Sequence, residues 1–296
     1  MNKKQEIFLE ITQKIDEGEI FLVGFGEDMN LDIEEVIALS PLYQEKKEMI
    51  EQLSDVEVNW VKRSIYQYEL EIENDAVKKQ MAYLNAVHFL VGDKPYFVVN
   101  QCTDGVLSHS QFDQSKCVSP CGSVLLGQCV DNCSKEVVDL VPVYKEIYQV
   151  LEVETDPAEL SMKLVEKIPS CEHCKKDIVL NTVVENQAYC EAAYLDQWAV
   201  YTKWLEHTLN RHVVILELGV GFETPTVARW PFEKIAFFNQ KAYLIRVHER
   251  LFQLTEEMKG KASGIGMQPK KFITTLCGVE KNMNMEKQGG QDDSNH

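Results

Sequence analysis

Four cysteines in two short pairs are the residues of this sequence with the clearest chemistry. Cys129 and Cys133 stand in QCVDNC, and Cys171 and Cys174 stand in SCEHC. A tetrahedral Zn²⁺ ion takes four soft ligands, and two such turns brought together supply them without strain. Because four thiolates close the coordination shell, we expect a structural zinc site and not a catalytic one. His173, inside the second pair, is the alternative ligand.

The remaining cysteines bear on the compartment of the protein. The chain has nine cysteines, and those outside the quartet are Cys102, Cys117, Cys121, Cys190 and Cys277. An odd remainder with no secretory leader is typical of a reducing compartment, where thiols stay free or bind metal. We therefore expect a cytoplasmic protein. A disulfide-bonded quartet in an exported protein is the alternative.

Charge and hydropathy exclude two classes of partner. The net charge of −17 argues against nucleic acid, because affinity for a phosphate backbone comes largely from Lys and Arg. Apolar runs such as VVILELGVGF are too short to span a bilayer, and Glu217 interrupts this one. We expect a protein that binds neither nucleic acid nor membrane. The signatures GxSxG, HExxH and the P-loop are absent, so the common hydrolase, zincin and NTPase motifs do not apply.

Helices and strands alternate along the first third of the chain. The pattern predicts a helix over residues 4–17, a strand over 20–24, acidic helices over 31–92 and a second strand over 95–100. This order is typical of an α/β fold. The first strand runs into GFGEDMN, and a glycine turn after a first strand is where such folds hold a phosphate. A plain turn is the alternative reading.

The second strand ends in the polar turn QCTDG. Polar side chains at the carboxyl end of a buried strand line the binding crevice of doubly wound folds. Cys102 and Asp104 are therefore candidate site residues, the alternative being that Asp104 and Gly105 only form a turn.

The segment between the cysteine pairs is long enough to carry its own helices, so the quartet belongs to a small inserted module. After it we expect an apolar stretch at 177–190, a helix at 191–209, a strand at 212–222 and a glycine-containing loop at 259–266. The polar tail from residue 280 has little to bury, and we expect it to be disordered.

The order of these motifs resembles the Sir2 family, the sirtuins. The order is the turn Gly24-Phe25-Gly26, the loop in YFVVNQCTDG, the Pro120-Cys121-Gly122 turn and then the two cysteine pairs. FDQSKCVSPCGSVLLGQCVDNC and the stretch over residues 215–248 resemble the class M sirtuins in particular.

The resemblance implies a Rossmann-like parallel sheet with helices on both faces, a small zinc-binding module, and NAD in the cleft between them. The implied boundaries are 1–116 and 177–279 for the discontinuous Rossmann-like domain, 117–176 for the module and 280–296 for the tail.

The implied chemistry is NAD-dependent protein deacylation or protein ADP-ribosylation. Nicotinamide leaves C1 of the ribose through an oxocarbenium-like transition state, and an acyl-lysine oxygen or another protein nucleophile captures the ADP-ribosyl group. The class M likeness also implies an acylated or lipoylated carrier protein and a macrodomain protein as partners.

Matching the family's motifs residue by residue gives a set of candidate site residues. The general base falls on Cys121, with Asp104 and Cys102 as the other candidate catalytic residues. The candidate cofactor-binding residues are Gly24, Phe25, Gly26, Gln101, Asp104, Gly219, Val220, Gly221 and His248.

Several of these positions depart from the family's pattern. The family's G-A-G turn, with a serine two residues later, has Phe25 in place of the small residue and Asp28 in place of the hydroxyl. We expect the ring to crowd a dinucleotide, and the carboxylates of Asp28 and Glu223 to repel it. A non-catalytic sirtuin-fold binding or scaffold protein is therefore the competing hypothesis. A redox sensor that uses Cys102, Cys117 and Cys121 is a third.

Overall fold

A six-stranded parallel sheet is the main feature of the computed structural model, which describes residues 3–184 and 188–279. Its strands are β1 (Ile20–Phe25), β2 (Tyr96–Asn100), β3 (Cys117–Val118), β7 (Val213–Leu218), β8 (Tyr243–Val247) and β9 (Ala262–Ile265). They lie in the order β3-β2-β1-β7-β8-β9. After β1 the next strand, β2, pairs with one edge of β1, and β7 later pairs with its other edge. The loops after β1 and β7 therefore flank the point where a doubly wound sheet forms its binding crevice.

A second, antiparallel sheet forms the small module. Its strands are β4 (Gly122–Cys129), β5 (Val137–Asp139) and β6 (Ile178–Thr182), in the order β5-β4-β6. The cysteine pairs follow β4 and precede β6, so this sheet holds them side by side. Its last strand lies just beyond residue 176, and β3 belongs to the large sheet. The boundaries at 117 and 176 stay a prediction.

Ten helices occur in the described part of the chain. They are α1 (Lys3–Glu17), α2 (Ile33–Ala38), α3 (Pro41–Ile50), α4 (Asp55–Glu71), α5 (Asp75–Val91), α6 (Val141–Val153), α7 (Pro157–Lys167), α8 (Leu195–Glu206), α9 (Arg229–Phe238) and α10 (Pro269–Cys277). Side chains of a strand alternate between faces, and β1 places Phe21 and Val23 in one core cluster and Leu22 in another. The first cluster includes residues of α1, α4, α5 and α10, and the second includes residues of α8 and α9. Helices thus cover both faces.

A buried ion pair crosses the centre of the sheet. Glu217 of β7 lies opposite Arg246 of β8, and both side chains are almost fully buried. Arg246 donates from Nε to Oε1 of Glu217 at 2.5 Å and from one terminal nitrogen to Oε2 at 3.0 Å. Burial raises the pKa of Glu217, and the two arginines beside it, Arg246 and Arg229, act in the opposite direction. The charge that interrupts the apolar strand is therefore neutralised by a neighbouring strand.

The predicted α/β fold with a parallel sheet, helices on both faces and a small four-cysteine module is confirmed. The loop expected at 259–266 is wrong in part, because residues 262–265 form β9 beside β8. Small residues give this segment little strand signal, and Gly264 is needed because a Cβ there would lie 2.2 Å from the carbonyl oxygen of Phe252. The tail expected to be disordered lies outside the described residues. No helix among those described is long and apolar enough to cross a membrane.

Candidate functional site

Three segments that follow strands of the large sheet meet at its carboxyl edge. They are residues 26–29 after β1, residues 101–104 after β2 and residues 219–224 after β7, and together with Cys121 and His248 we call them the crevice. The N–H of Gly26 donates to Leu218 at 2.9 Å, and the N–H of Gln101 donates to Phe25 at 2.7 Å. The structure therefore brings most of the predicted cofactor-binding residues together.

Gly26 allows two of these segments to touch. A Cβ on Gly26 would lie 2.2 Å from the carbonyl oxygen of Gly219 and 2.3 Å from the backbone nitrogen of Val220. Both neighbours are backbone atoms, so a side chain here would push the segments apart. The glycine that the sequence assigned to cofactor binding is required by close packing.

Phe25 does not line the crevice. Its side chain is fully buried, and its ring packs edge to face against Phe112 with centroids 5.8 Å apart. Gly24 also has a packing role, because a Cβ there would lie 2.5 Å from the ring of Phe232 in α9. The expectation that the Phe25 ring crowds an approaching dinucleotide is wrong. Phe25 is the last residue of β1, and its side chain points toward the core. The residue types of the glycine motif alone did not show this direction.

Gln101 and Cys121 both contact Thr224. The Gln101 side-chain nitrogen donates to the Thr224 hydroxyl at 2.7 Å and to the Thr224 carbonyl oxygen at 3.0 Å. The Cys121 sulfur lies 3.4 Å from the same hydroxyl. Thr224, in the loop after β7, therefore contacts both the loop after β2, through Gln101, and the turn before β4, through Cys121. Thr224 was not among the predicted site residues, although it lies within the stretch over residues 215–248 that resembles the class M sirtuins.

Glu27 bridges the first turn to the loop after β7. One carboxylate oxygen, Oε2, accepts a hydrogen bond from the backbone N–H of Gly221 at 2.8 Å. The sequence gave no signal for this contact, because the partners are 194 residues apart. A carboxylate of the protein thus already occupies a backbone donor of the crevice.

Asp28 and His248 form a second polar contact at the crevice. Nε2 of His248 lies 3.5 Å from a carboxylate oxygen of Asp28. The other ring nitrogen, Nδ1, accepts from the backbone N–H groups of Arg250 and Leu251 at 3.2 and 3.3 Å. Because Nδ1 acts as the acceptor, Nε2 carries the proton and points it toward Asp28.

Asp104 is committed to holding its own loop. Its oxygens accept from the backbone N–H groups of Leu31 at 2.7 Å and Val106 at 2.9 Å, and Tyr66 donates to its carbonyl oxygen at 2.6 Å. Burial raises the pKa of this carboxyl against the lowering effect of the two N–H donors. The side chain is buried, and its placement agrees with the turn alternative. A catalytic role for Asp104 stays a prediction.

The cysteines of the crevice are protonated thiols. Burial raises the pKa of Cys102 well above its usual range, and its sulfur donates to the carbonyl oxygen of Gly26 at 3.3 Å. Burial also raises the pKa of Cys121 to about 11 and that of Cys117 to about 12. A general base, a nucleophile or a redox-sensing thiol needs a lowered pKa. These environments therefore oppose the base assigned to Cys121 and the redox-sensor hypothesis.

The four paired cysteines come together outside the crevice. Their sulfur atoms all lie within 4.8 Å of one another, with Cys129 3.4 Å from Cys174 and Cys133 3.5 Å from Cys171. Sulfurs at the corners of a tetrahedral zinc site lie about 3.8 Å apart, whereas a disulfide bond is about 2.05 Å long. All nine cysteines are free, so the disulfide alternative is not realised.

Backbone donors support the thiolate form at two of the four sulfurs. N–H groups of each turn donate to its first sulfur and lower the pKa of Cys129 and Cys171, whereas the pKa values of Cys133 and Cys174 are raised beside these sulfurs. His173 is exposed and lies 3.4 Å from Glu136, beside the cluster. The donor set therefore fits a zinc ion held by four sulfurs.

Comparison with known proteins gives two sequence relatives, while no family model matches. A probable bifunctional ADP-ribose hydrolase/ADP-ribosyltransferase of Fusarium oxysporum f. sp. cubense is 30% identical over 155 residues, which are 51% of this chain and 25% of that protein. A protein ADP-ribosyltransferase of Staphylococcus aureus (strain Mu50) is 24% identical over 185 residues, 58% of this chain and 56% of that protein. The matches thus span between a quarter and just over half of these relatives.

The solved structures found by comparison include Sir2 enzymes. One, from a study of Sir2 mechanism and regulation, has a TM-score of 0.48 and 14% identity, covering 94% of this chain and 99% of that one. A mutant Sir2 homologue in complex with ADP-ribose has a TM-score of 0.47 and 12% identity, covering 96% and 98%. The chain is therefore similar over part of its length to two proteins named as ADP-ribosyltransferases, and solved Sir2 structures align with most of it.

Proposed function

We propose that this chain is an NAD-dependent protein ADP-ribosyltransferase of the sirtuin type. The observation that carries the proposal is the meeting of three strand-end segments at the point where the strand order reverses. Doubly wound folds bind dinucleotides at this point. Both sequence relatives bear ADP-ribosyltransferase in their names, which supports the same activity.

Different residues of the crevice would bind different parts of the ligand. Bound NAD would supply the bond between ribose C1 and nicotinamide that the reaction breaks. Gln101 and Thr224 offer an amide oxygen and a hydroxyl in the same space. The N–H groups of Gly26 and Gly221 are already bonded to Leu218 and Glu27. His248 lies at the edge with Asp28. These residues bind and orient a ligand and require no charged side chain to react.

The state of Cys121 favours ADP-ribosylation over deacylation. In the sirtuin scheme the deacylation route needs a general base, and Cys121 stands at that position. A thiol whose pKa is about 11 does not accept a proton at neutral pH, because it already holds one. Transfer of the ADP-ribosyl group to a nucleophile that is already ionised avoids this requirement. We therefore place a protein side chain, and not an acyl oxygen, as the acceptor.

A non-catalytic NAD-binding or scaffold protein is the second candidate. The observation that favours it is the acidic character of the crevice, where Asp28 replaces the hydroxyl of the motif and Glu27 and Glu223 add two more carboxylates. Carboxylates near a pyrophosphate repel it, by an amount that solvent screening reduces. Such a protein would keep the fold and lose turnover.

The four cysteines of the module would hold one structural Zn²⁺ in either case. Sulfur is the ligand that zinc prefers in closed sites, and the cluster has no further ligand position for substrate. The lipoylated carrier protein and the macrodomain protein stay predicted partners.

Nicotinamide release tests the two candidates. The full chain is incubated with NAD and a lipoylated carrier protein, and nicotinamide and the added ADP-ribose mass are measured. We expect both products, and a loss of about tenfold in Thr224→Val, which removes the hydroxyl shared by Gln101 and Cys121. Thr202→Val, on the exposed face of α8, is the matched control and should keep full turnover. NAD binding without turnover, or no NAD binding at all, would contradict the transferase and favour the non-catalytic binding or scaffold protein.

A further inference from the structure

Two buried oxygen atoms of the crevice have no hydrogen-bond donor among the described residues. They are Oε1 of Glu27 and Oε1 of Gln101. Gln101 is 2% exposed, so this amide oxygen cannot be satisfied by bulk water. An unpaired buried acceptor costs about 1–3 kcal/mol, which makes such atoms candidates for ligand contacts.

These oxygens belong to neighbouring segments and share one partner loop. Glu27 holds the loop after β7 through the N–H of Gly221, and Gln101 holds the same loop through Thr224. The backbones of the two segments are also joined, because Gln101 donates to Phe25 at 2.7 Å. In each side chain one polar atom is fixed by the loop, and the other is left without a partner. Both free atoms are hard oxygen donors.

The charges that face this place are mostly negative. Asp28 contacts His248, and Glu223 is exposed on the rim. The guanidinium of Arg229 lies behind the loop, where it donates to Val220 at 2.8 Å and to Leu251 at 2.6 Å. Its donors are also directed at Glu217, at 3.4 Å. Lys270 is a second cation near the loop after β2, where it donates to the carbonyl oxygen of Asn30 at 3.0 Å. Among the described residues, a dinucleotide pyrophosphate entering here would still meet three carboxylates, those of Glu27, Asp28 and Glu223.

We propose that a divalent cation, Mg²⁺, enters the crevice with the pyrophosphate and is held by Oε1 of Glu27 and Oε1 of Gln101. The inference rests on the proposed binding of an NAD-type ligand. Mg²⁺ is commonly bound by one or two protein oxygens together with substrate phosphates and water. Phosphate oxygens complete the coordination shell, so the protein alone offers too few ligands for a tight site. The cation turns the carboxylate of Glu27 from a repelling group into a ligand.

Calorimetric titration of ADP-ribose into the full chain tests this site. It is run with excess Mg²⁺ and, separately, in buffer freed of Mg²⁺ by a chelating resin, with the module loaded with zinc in both cases. We expect Mg²⁺ to tighten ADP-ribose binding at least about tenfold, which corresponds to about 1.4 kcal/mol. In Glu27→Gln the amide oxygen can still accept from Gly221, so the fold is kept while the dependence on Mg²⁺ is lost. Replacing Mg²⁺ by Mn²⁺ should give an electron paramagnetic signal that changes only when ADP-ribose is present.

Glu206→Gln is the matched control. Glu206 is exposed at the end of α8, before β7 begins, and so lies at the opposite edge of the sheet. It should keep the full Mg²⁺ effect. Equal affinity of the wild-type chain with and without Mg²⁺ would overturn the cation site and leave the proposed function standing. Absence of ADP-ribose binding in both conditions would overturn both, and an unchanged Mg²⁺ effect in Glu27→Gln would remove Glu27 from the site.

Discussion

The sulfur of Cys121 lies 3.4 Å from the hydroxyl of Thr224, in a place so enclosed that the thiol keeps its proton. Cys121 is 2% exposed, and burial is the main reason why its pKa is raised to about 11. The hydroxyl of Thr224 lowers that pKa but does not offset burial. The residue predicted to be the general base is therefore a packed thiol.

Cys121 should resist thiol reagents at neutral pH. Only the thiolate reacts, and a pKa of about 11 leaves about one molecule in ten thousand ionised near pH 7. Alkylation by iodoacetamide, located by mass spectrometry, should be slow at Cys121 in the zinc-free and zinc-loaded chain alike. The rate should rise with pH toward 11 until the protein unfolds. Rapid alkylation at neutral pH, or a Cys102–Cys121 disulfide under mild peroxide, would contradict this assignment and revive the redox sensor.

Asp28→Ser should tighten the binding of ADP-ribose in Mg²⁺-free buffer about three- to tenfold. The change removes a carboxylate that contacts His248 at the crevice and restores the hydroxyl of the sirtuin motif. Fluorescence or calorimetric titration at low and high salt measures the effect, which screening should reduce. Asp93→Ser is the matched control, because Asp93 is exposed in the turn before β2, at the other edge of the sheet. Equal tightening in both variants would show that only the net charge matters.

Asp104→Asn should destabilise the fold by about 1–3 kcal/mol, because an amide cannot accept well from both backbone N–H groups that the carboxylate holds. The loss should depend on pH. Burial raises the folded pKa of Asp104 above the unfolded value of about 3.9, so its contribution is fully present below that value. This contribution is lost as pH rises through the folded pKa of Asp104. Because asparagine does not titrate, the variant lacks this pH dependence.

Urea unfolding of the wild type and Asp104→Asn across mildly acidic and neutral pH measures this effect. The difference in unfolding free energy should be larger at the acidic end. Asp113→Asn, at an exposed carboxylate in the same part of the chain, is the control. A difference for Asp104→Asn that grew as pH rose would mean that the folded pKa is lowered, contrary to the burial of this group.

Cys133→Ser should weaken zinc binding and lower the melting temperature by several degrees. Metal affinity of four-sulfur sites contributes directly to folding, and oxygen is a poorer zinc ligand than sulfur in such a site. Elemental analysis should give one zinc per chain in the wild type and less in the variant. Cys277→Ser, in α10 and away from the cluster, should keep its zinc. Full zinc content in Cys133→Ser would exclude Cys133 as a ligand.

The motifs predicted the fold better than the interior of the site. The parallel sheet and the cysteine cluster could be predicted because apolar runs and paired cysteines are local signals. Strand β9 gave no such signal, since ASGI is small and gains its strand structure by pairing with β8. Glu217 and Arg246 did leave a signal, because a charge inside a buried strand requires a partner. That signal could have placed their strands side by side.

The contacts of the crevice could not be read from the sequence for a different reason. Glu27 and Gly221 are 194 residues apart, and nothing local marks the pair. The direction of the Phe25 ring depends on the pleat of β1, which places it with Phe21 and Val23 in one core cluster and Leu22 in the other. The residue types of a motif thus fixed the location of the site but not which atoms face it.

Hydrogen exchange with and without saturating ADP-ribose tests the central claim, that the crevice is the ligand site. With Mg²⁺ present, we predict slower exchange at residues 26–29, 101–104 and 219–224, because the ligand would hold all three segments. Helix α7, on the module, should exchange unchanged. No change at the three segments under saturating ADP-ribose, or protection confined to the module, would contradict the account.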